Sequence, residues 1–255
     1  MKKIAILILT IIAVSAHGQE NSTTGFKRFQ IGINISPDIC FRTLNNNDGS
    51  YVSDIVIKLR DRDETIKIGY TAGLNFCYNI TSYFGLETGI QYSEKGFQHI
   101  QTEFYPNQPD DPTMPDKAIF KYHFRYIDIP LKANFTIGKK KVRFFTSVGL
   151  TTNIFITEIQ TEILIYGNRK VIETNPTLFD YKKVNLSPTI SAGIDYKINS
   201  RMNLRVEPTY RFGVIKIIDT PVSGWLWNAG LNISYYFGFN PNSNTSKKQN
   251  KTSTL

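Results

Sequence analysis

Beyond residue 18, no apolar run in this 255-residue chain approaches the ~20 residues of a membrane-spanning helix. Mean hydropathy is negative, −0.24, so a helical membrane protein is excluded. Histidine is scarce: with His17 set aside in the amino-terminal leader, His99 and His123 remain, which leaves acid–base catalysis little to work with. Cysteine is limited to Cys40 and Cys77, and there is none near the amino terminus to carry a lipid anchor. No basic face clusters with aromatic residues, which argues against nucleic acid as a partner. The formal charge of +9 falls to a milder excess, 28 basic against 21 acidic residues, once the leader is removed. Three of those lysines (Lys247, Lys248, Lys251) lie in the terminal segment.

The leader itself has a clear pattern. Met1-Lys2-Lys3 is basic, Ile4 to Val14 is largely apolar, and Ala16 and Gly18 are small residues before the polar Gln19-Glu20-Asn21. That order predicts a cleaved secretory signal peptide over residues 1–18, with the cut after Gly18 favoured over one after Ala16. The cysteines therefore face an oxidising compartment. No bridge between them is expected, because the strand layout puts them near opposite ends of neighbouring strands.

What the chain does contain is alternation. From Trp225 to Phe239 every odd position is apolar or aromatic, and most even positions are small or polar, with no charge among the fifteen. Period two is the signature of a strand, and fifteen residues exceed the usual soluble strand of ~5–6. A strand tilted across a bilayer needs ~9–11. Seven earlier segments repeat the pattern: about 26–36, 66–80, 84–95, 120–137, 142–156, 184–198 and 202–214. Pro37 should disturb the first. In the fourth, Phe120, Tyr122 and Phe124 share one phase and Ile127, Ile129 and Leu131 the other, which predicts a bulge near Arg125-Tyr126 with all six facing outward. Val52–Leu59 is read as a projecting strand. Glu162–Tyr166, Gly167-Asn168 and Arg169–Glu173 read as a projecting hairpin.

Eight such segments alternate long loops with short turns, which predicts an all-β fold, an eight-stranded antiparallel transmembrane up-and-down barrel with short periplasmic turns and long extracellular loops. The domain plan is signal peptide 1–18, barrel 19–239 and a disordered polar, basic tail 240–255. The inward positions carry Lys67, Glu87, Lys95, Asp128, Lys132, Arg143, Asp195, Lys197, Arg205, Glu207 and Arg211. An eight-stranded barrel is about wide enough for side chains to fill it, so a packed network of ion pairs is expected rather than a pore. Arg205 and Arg211 should pair with Glu87 or Asp195.

No catalytic, cofactor-binding or metal-binding residue is nominated. His123 sits between Lys121 and Arg125 with no acid expected beside it, a poor environment for a general base. It reads better as part of a basic rim against lipopolysaccharide phosphates. Asp110, Asp111, Asp116 and Glu103 supply carboxylates for calcium but lack the spacing of a defined site, and read as a solvated loop.

Gly85–Phe97 (GLETGIQYSEKGF) and Tyr126–Lys132 (YIDIPLK) give the chain its resemblance: it is similar to the PorT-like outer-membrane β-barrel family of Bacteroidetes. The resemblance implies an integral protein of the bacterial outer membrane, in contact with outer-membrane lipid and lipopolysaccharide and linked to a protein-secretion apparatus through an envelope protein partner. No functional residue carries over from it, because the shared motifs build strands, and the scarcity of histidine predicts no enzyme activity and no cofactor. The other functional classes left open are a rim enzyme acting on lipid and a small-solute pore.

Overall fold

The computed structural model describes residues 27–103, 115–177 and 179–239. The leader and the terminal segment lie outside the described residues, as do Asp110 and Asp111. Eight long strands form the body: β1 (Phe29–Asn46), β2 (Lys67–Asn79), β3 (Phe84–His99), β4 (Lys117–Ile137), β5 (Val142–Tyr166), β6 (Val184–Lys197), β7 (Met202–Phe212) and β8 (Val222–Phe239). Each pairs antiparallel with its sequence neighbours, and β8 pairs with β1, so the sheet closes on itself. Paired positions can be followed round the ring from Gln30 through Cys77, Glu87, Lys132, Gly149, Thr189, Arg211 and Asn228. The path returns to β1 at Cys40, a stagger of ten residues. Strand number and stagger together fix tilt and radius, here within the usual tilt range of roughly 35–45°.

Burial is inverted relative to a soluble domain. Inside lie charged and polar residues such as Asp38, Glu87, Asp128, Asp195, Glu207 and Ser234, all nearly inaccessible. Outside lie Ile33, Ile68, Ile90, Leu131, Val148 and Ile190, each more than half exposed. Apolar area on this scale is compatible only with an apolar solvent, which is the bilayer. Short turns join β2–β3, β4–β5 and β6–β7 at the periplasmic rim, and long loops join the others at the extracellular rim.

Three expectations need correction. First, β1 does not lose phase at Pro37. The proline side chain faces outward, Ser36, Asp38, Cys40 and Arg42 continue the inward row, and the strand runs ten residues past the expected end. The missing N–H shows only as a gap in the pairing with β8 at Ser36 and Pro37.

Second, Val52–Leu59 is not a strand but part of an α-helix, α1 (Tyr51–Asp63). Its apolar positions 52, 55, 56 and 59 have helical spacing. The Ser50 hydroxyl caps the start by accepting from Ser53 N at 3.1 Å, and Arg60 and Arg62 lie in the last turn, where cations are favoured.

Third, the register shift does fall at Arg125/Tyr126, but the extra residue is Ile156 of β5. β4 therefore keeps one phase throughout. Phe124 and Tyr126 are buried on its inner side with Tyr122 packed beside them, not exposed to lipid. The expected hairpin is present: Arg169–Pro176 pairs back on Ile159–Tyr166 around Gly167, whose φ of 51° suits a glycine.

Candidate functional site

The side chains available for function occupy three levels of the barrel. At the waist, Glu87 of β3 is the hub. Its carboxylate meets Lys132 Nζ at 2.6 Å and Arg205 Nη1 at 2.9 Å. It also accepts from Asn134 at 2.8 Å, the Tyr236 hydroxyl at 3.0 Å and the Cys77 thiol at 3.1 Å. The Arg205 guanidinium lies 3.6 Å from the Phe145 ring centroid and 4.5 Å from that of Tyr236, so two aromatic quadrupoles attract it. Nearer the periplasm, Asp195 binds Arg143 and Asn203. Glu207 accepts from Asn232 at 2.9 Å and Ser191 at 2.5 Å. Charges held out of water persist only when paired in this way.

Above the waist, Asp38 accepts from Ser36 and Thr71 at 2.6 Å and from Asn228 at 2.8 Å, with Arg211 at 3.6 Å. Asp128 accepts from Asn153 at 2.7 Å and faces Lys95 at 3.3 Å. The expected pairing of Arg205 with Glu87 is present, and its Nε lies 3.9 Å from Asp195. Arg211 instead meets Asp38, a residue hidden from the sequence reading because β1 was expected to falter at Pro37. Extending the alternation through the proline would have found it. Lys67, Lys95, Asp128, Lys132, Glu207 and Arg211 are buried as expected, while Arg143 and Lys197 are half-buried near the periplasmic rim.

The mouth is apolar. Phe97, Phe124, Tyr126, Ile217 and Leu226 form a buried cluster against which Phe41, Tyr122, Phe155, Tyr181 and Ile218 pack. Tyr181, Ile217 and Ile218 come from two extracellular loops folded back over the opening. Those loops are tied together by Lys182 N donating to Ile217 O at 2.9 Å. Asn185 holds Ile215 by donating to its carbonyl and accepting from its N–H. The sequence reading missed this cap because it rests on the bulge being assigned to β4 rather than β5.

At the outer rim, His123 does have an acid beside it, contrary to expectation. Its Nδ1 lies 2.8 Å from Glu94 of the neighbouring strand. The same carboxylate also meets Lys67 at 2.9 Å and Arg125 at 3.4 Å. A carboxylate shared among three basic groups is an ion-pair knot rather than the orienting member of a catalytic relay. Among the described residues, no serine or threonine hydroxyl bonds to His123, so the knot lacks a nucleophile. No group of three or more metal-ligating side chains is assembled among the described residues. Asp116 accepts from Gly167 N at 2.5 Å. Both thiols are buried and free. Cys40 registers with Lys67 and Cys77 with Gln30, at opposite ends of the β1–β2 pairing.

Solved structures similar to the chain are outer-membrane barrels. Neisserial surface protein A matches at 12% identity and a TM-score of 0.41, with 83% of this chain and 97% of that chain covered. OprG from Pseudomonas aeruginosa matches at 11% identity and a TM-score of 0.46, with 84% and 99% covered. Ail, the attachment invasion locus protein of Yersinia pestis, matches at 12% identity and a TM-score of 0.30, with 83% and 99% covered. No curated protein matches the chain. Residues 16–219 match the family described as outer membrane protein beta-barrel domain. With four-fifths of the chain matched and a closed ring that carries a belt of exposed apolar residues on its outer face, the chain belongs to that outer membrane β-barrel family.

Proposed function

We propose that this barrel works through its outer surfaces rather than its lumen, as a structural or docking protein of the cell envelope that holds a protein partner by its extracellular loops. The observation that carries the reading is the filled interior. The Glu87–Lys132–Arg205 network occupies the waist and the aromatic cap occupies the mouth, so side chains fill the lumen at both levels. The rim ion-pair knot offers a histidine and an acid but no nucleophile, which weighs against a lipid-modifying enzyme. What remains accessible is the projecting sheet made by β4, β5 and Arg169–Pro176, whose last strand, among the described residues, pairs on one side only. An unpaired strand edge is a template for an added strand.

On this reading the chain is a PorT-like protein of Bacteroidetes, exported by cleavage after Gly18, and the partner belongs to a protein-secretion apparatus. GLETGIQYSEKGF and YIDIPLK support that assignment. The basic outer rim at Lys121, His123 and Arg125 meets lipopolysaccharide phosphates.

The test is affinity capture after gentle extraction of outer membranes, with the intact chain and with a variant in which residues 160–175, the hairpin beyond the Ile159–Pro176 pair, are replaced by a two-residue turn. A stoichiometric envelope protein that follows the intact chain and is lost with the hairpin is the expected result. If the intact chain is recovered alone, with the barrel folded, the docking reading fails.

A further inference from the structure

The helix α1 presents the wrong face to water. Its inner side meets the barrel: Ser53 is buried, Arg60 lies 5.6 Å from the Phe97 ring centroid and binds Glu64 at 2.6 Å, and Asp61 meets the buried Arg42. The opposite side carries Tyr51, Val52, Ile55, Val56 and Leu59. All are exposed, Val52 by 68% and Leu59 by 45%. Spacing of one, four, five and eight puts them in a single stripe.

The position of the helix in the wall tells what lies outside it. Pairing between β1 and β2 stops at Cys40–Lys67, while β1 runs on to Asn46, paired there with β8 alone. The far side of the gap is Gln98–His99, paired with Glu64–Thr65. The helix fills this gap as a piece of the barrel wall, so its outer face looks where the outer faces of the strands look. The lipid-facing Ile66 and Ile68, 46% and 69% exposed, continue its stripe downward. Inclination agrees. Thirteen residues of helix span ~20 Å, whereas the stretch of β1 from Arg42, near its last residue, to Asn46, near its first, spans only ~14 Å. The helix therefore runs obliquely along the rim rather than upright into solvent.

We infer that α1 is an interfacial anchor whose stripe Val52, Ile55, Val56 and Leu59 is seated in the headgroup–acyl boundary of the outer leaflet. The stripe continues the lipid belt of the barrel across the gap where β1 and β2 part. A narrow apolar face bordered by charged residues, here Asp54, Lys58 and Arg62, is what holds a helix in that plane.

The experiment uses the full chain in phosphatidylcholine nanodiscs, with nitroxide labels placed one at a time at positions 52, 55, 56 and 59. A label at Ile33 serves as the lipid reference and one at Lys58 as the water reference. Relaxation by oxygen should exceed relaxation by a water-soluble nickel chelate at the four stripe positions, as at position 33, with the reverse at 58. Nickel-dominated relaxation along the stripe would overturn the inference by placing it in water. Protection from both reagents would overturn it in favour of a protein covering, a second copy included. An Ile55→Asp, Leu59→Asp variant adds an independent reading. The barrel should keep its folded electrophoretic mobility, while proteolysis within residues 47–66 rises in nanodiscs and not in detergent. Equal proteolysis of both chains in nanodiscs counts against the anchor.

Discussion

At the scale of single residues, the same strand gives opposite rules on its two faces. Leu231 of β8 points to lipid and Asn232 to the lumen. Leu231→Arg places a charge at mid-bilayer and should destabilise the barrel by ~2–4 kcal/mol, read as a shift in the urea midpoint in lipid. A mild lumenal control must keep its hydrogen bonds, which rules out Asn232→Ser: Asn232 donates to Glu207 at 2.9 Å and accepts from Asn34 at 3.1 Å. Thr151→Ser keeps the hydroxyl that meets Thr189 at 2.9 Å and should cost under ~1 kcal/mol. Equal losses at Leu231 and Thr151 would show the faces to be misassigned. The buried charges test a second rule. Arg205→Ala strips one of two cations from Glu87 and should cost ~3–5 kcal/mol, because the penalty is that of an under-compensated buried charge. Adding Glu87→Gln to Arg205→Ala should recover part of that loss. A double variant as unstable as the sum of the singles would mean the two groups do not interact.

At the scale of elements, the alternation from Trp225 to Phe239 was legible because period two survives whatever surrounds it. So were β2, β3, the short turns and the hairpin around Gly167. Three features were not, each for a physical reason. Pro37 reads as a breaker, yet in a barrel its ring faces lipid and the missing donor costs one rung of the ladder. The run Val52–Leu59 fits a strand by composition, and only its i, i+3, i+4, i+7 spacing with Ser50 ahead marks a helix. The bulge shows in the phase of β4 relative to the lipid belt, but which strand carries the extra residue depends on pairing that one strand cannot reveal. That misplacement hid the cap, and with it Glu158 just beyond the bulge on the projecting part of β5. Thr177 donates to its carboxylate, and burial pushes the carboxyl up from 4.5 to about 7. Tyr122 and Tyr181 are the titratable groups facing it. Because the docked pKa lies above the undocked one, docking of the loop that carries Thr177 and Tyr181 is at full strength below pH 4.5 and weakens as pH rises through 7. Amide exchange in that loop, corrected for its intrinsic pH dependence, should therefore quicken between pH 5 and 8. Glu158→Gln should flatten the profile at the slow-exchange level, and an unchanged slope in that variant would sink the assignment.

At the scale of the whole molecule, two seals lie in series along the barrel axis, and they differ in kind. The waist is closed by paired charges whose separation leaves buried ions uncompensated. The mouth is closed by loop residues whose removal exposes apolar surface but breaks no ion pair. The waist should therefore be the tighter barrier and the mouth the movable one. In planar bilayers the intact chain should show no stepwise conductance. A variant carrying Tyr181→Ala, Ile217→Ala and Ile218→Ala, which loosens the mouth alone, should remain silent while its loops become protease-sensitive. Arg205→Ala leaves the cap in place but opens space beside Phe145 and Tyr236, so it should remain silent too. Only the combination of cap and waist variants, if it still folds, should give openings, and those should favour cations because Glu87 is left with Lys132 as its only cationic partner. Stepwise conductance from the unmodified chain would show that the network opens spontaneously, and the docking function proposed here would give way to a pore.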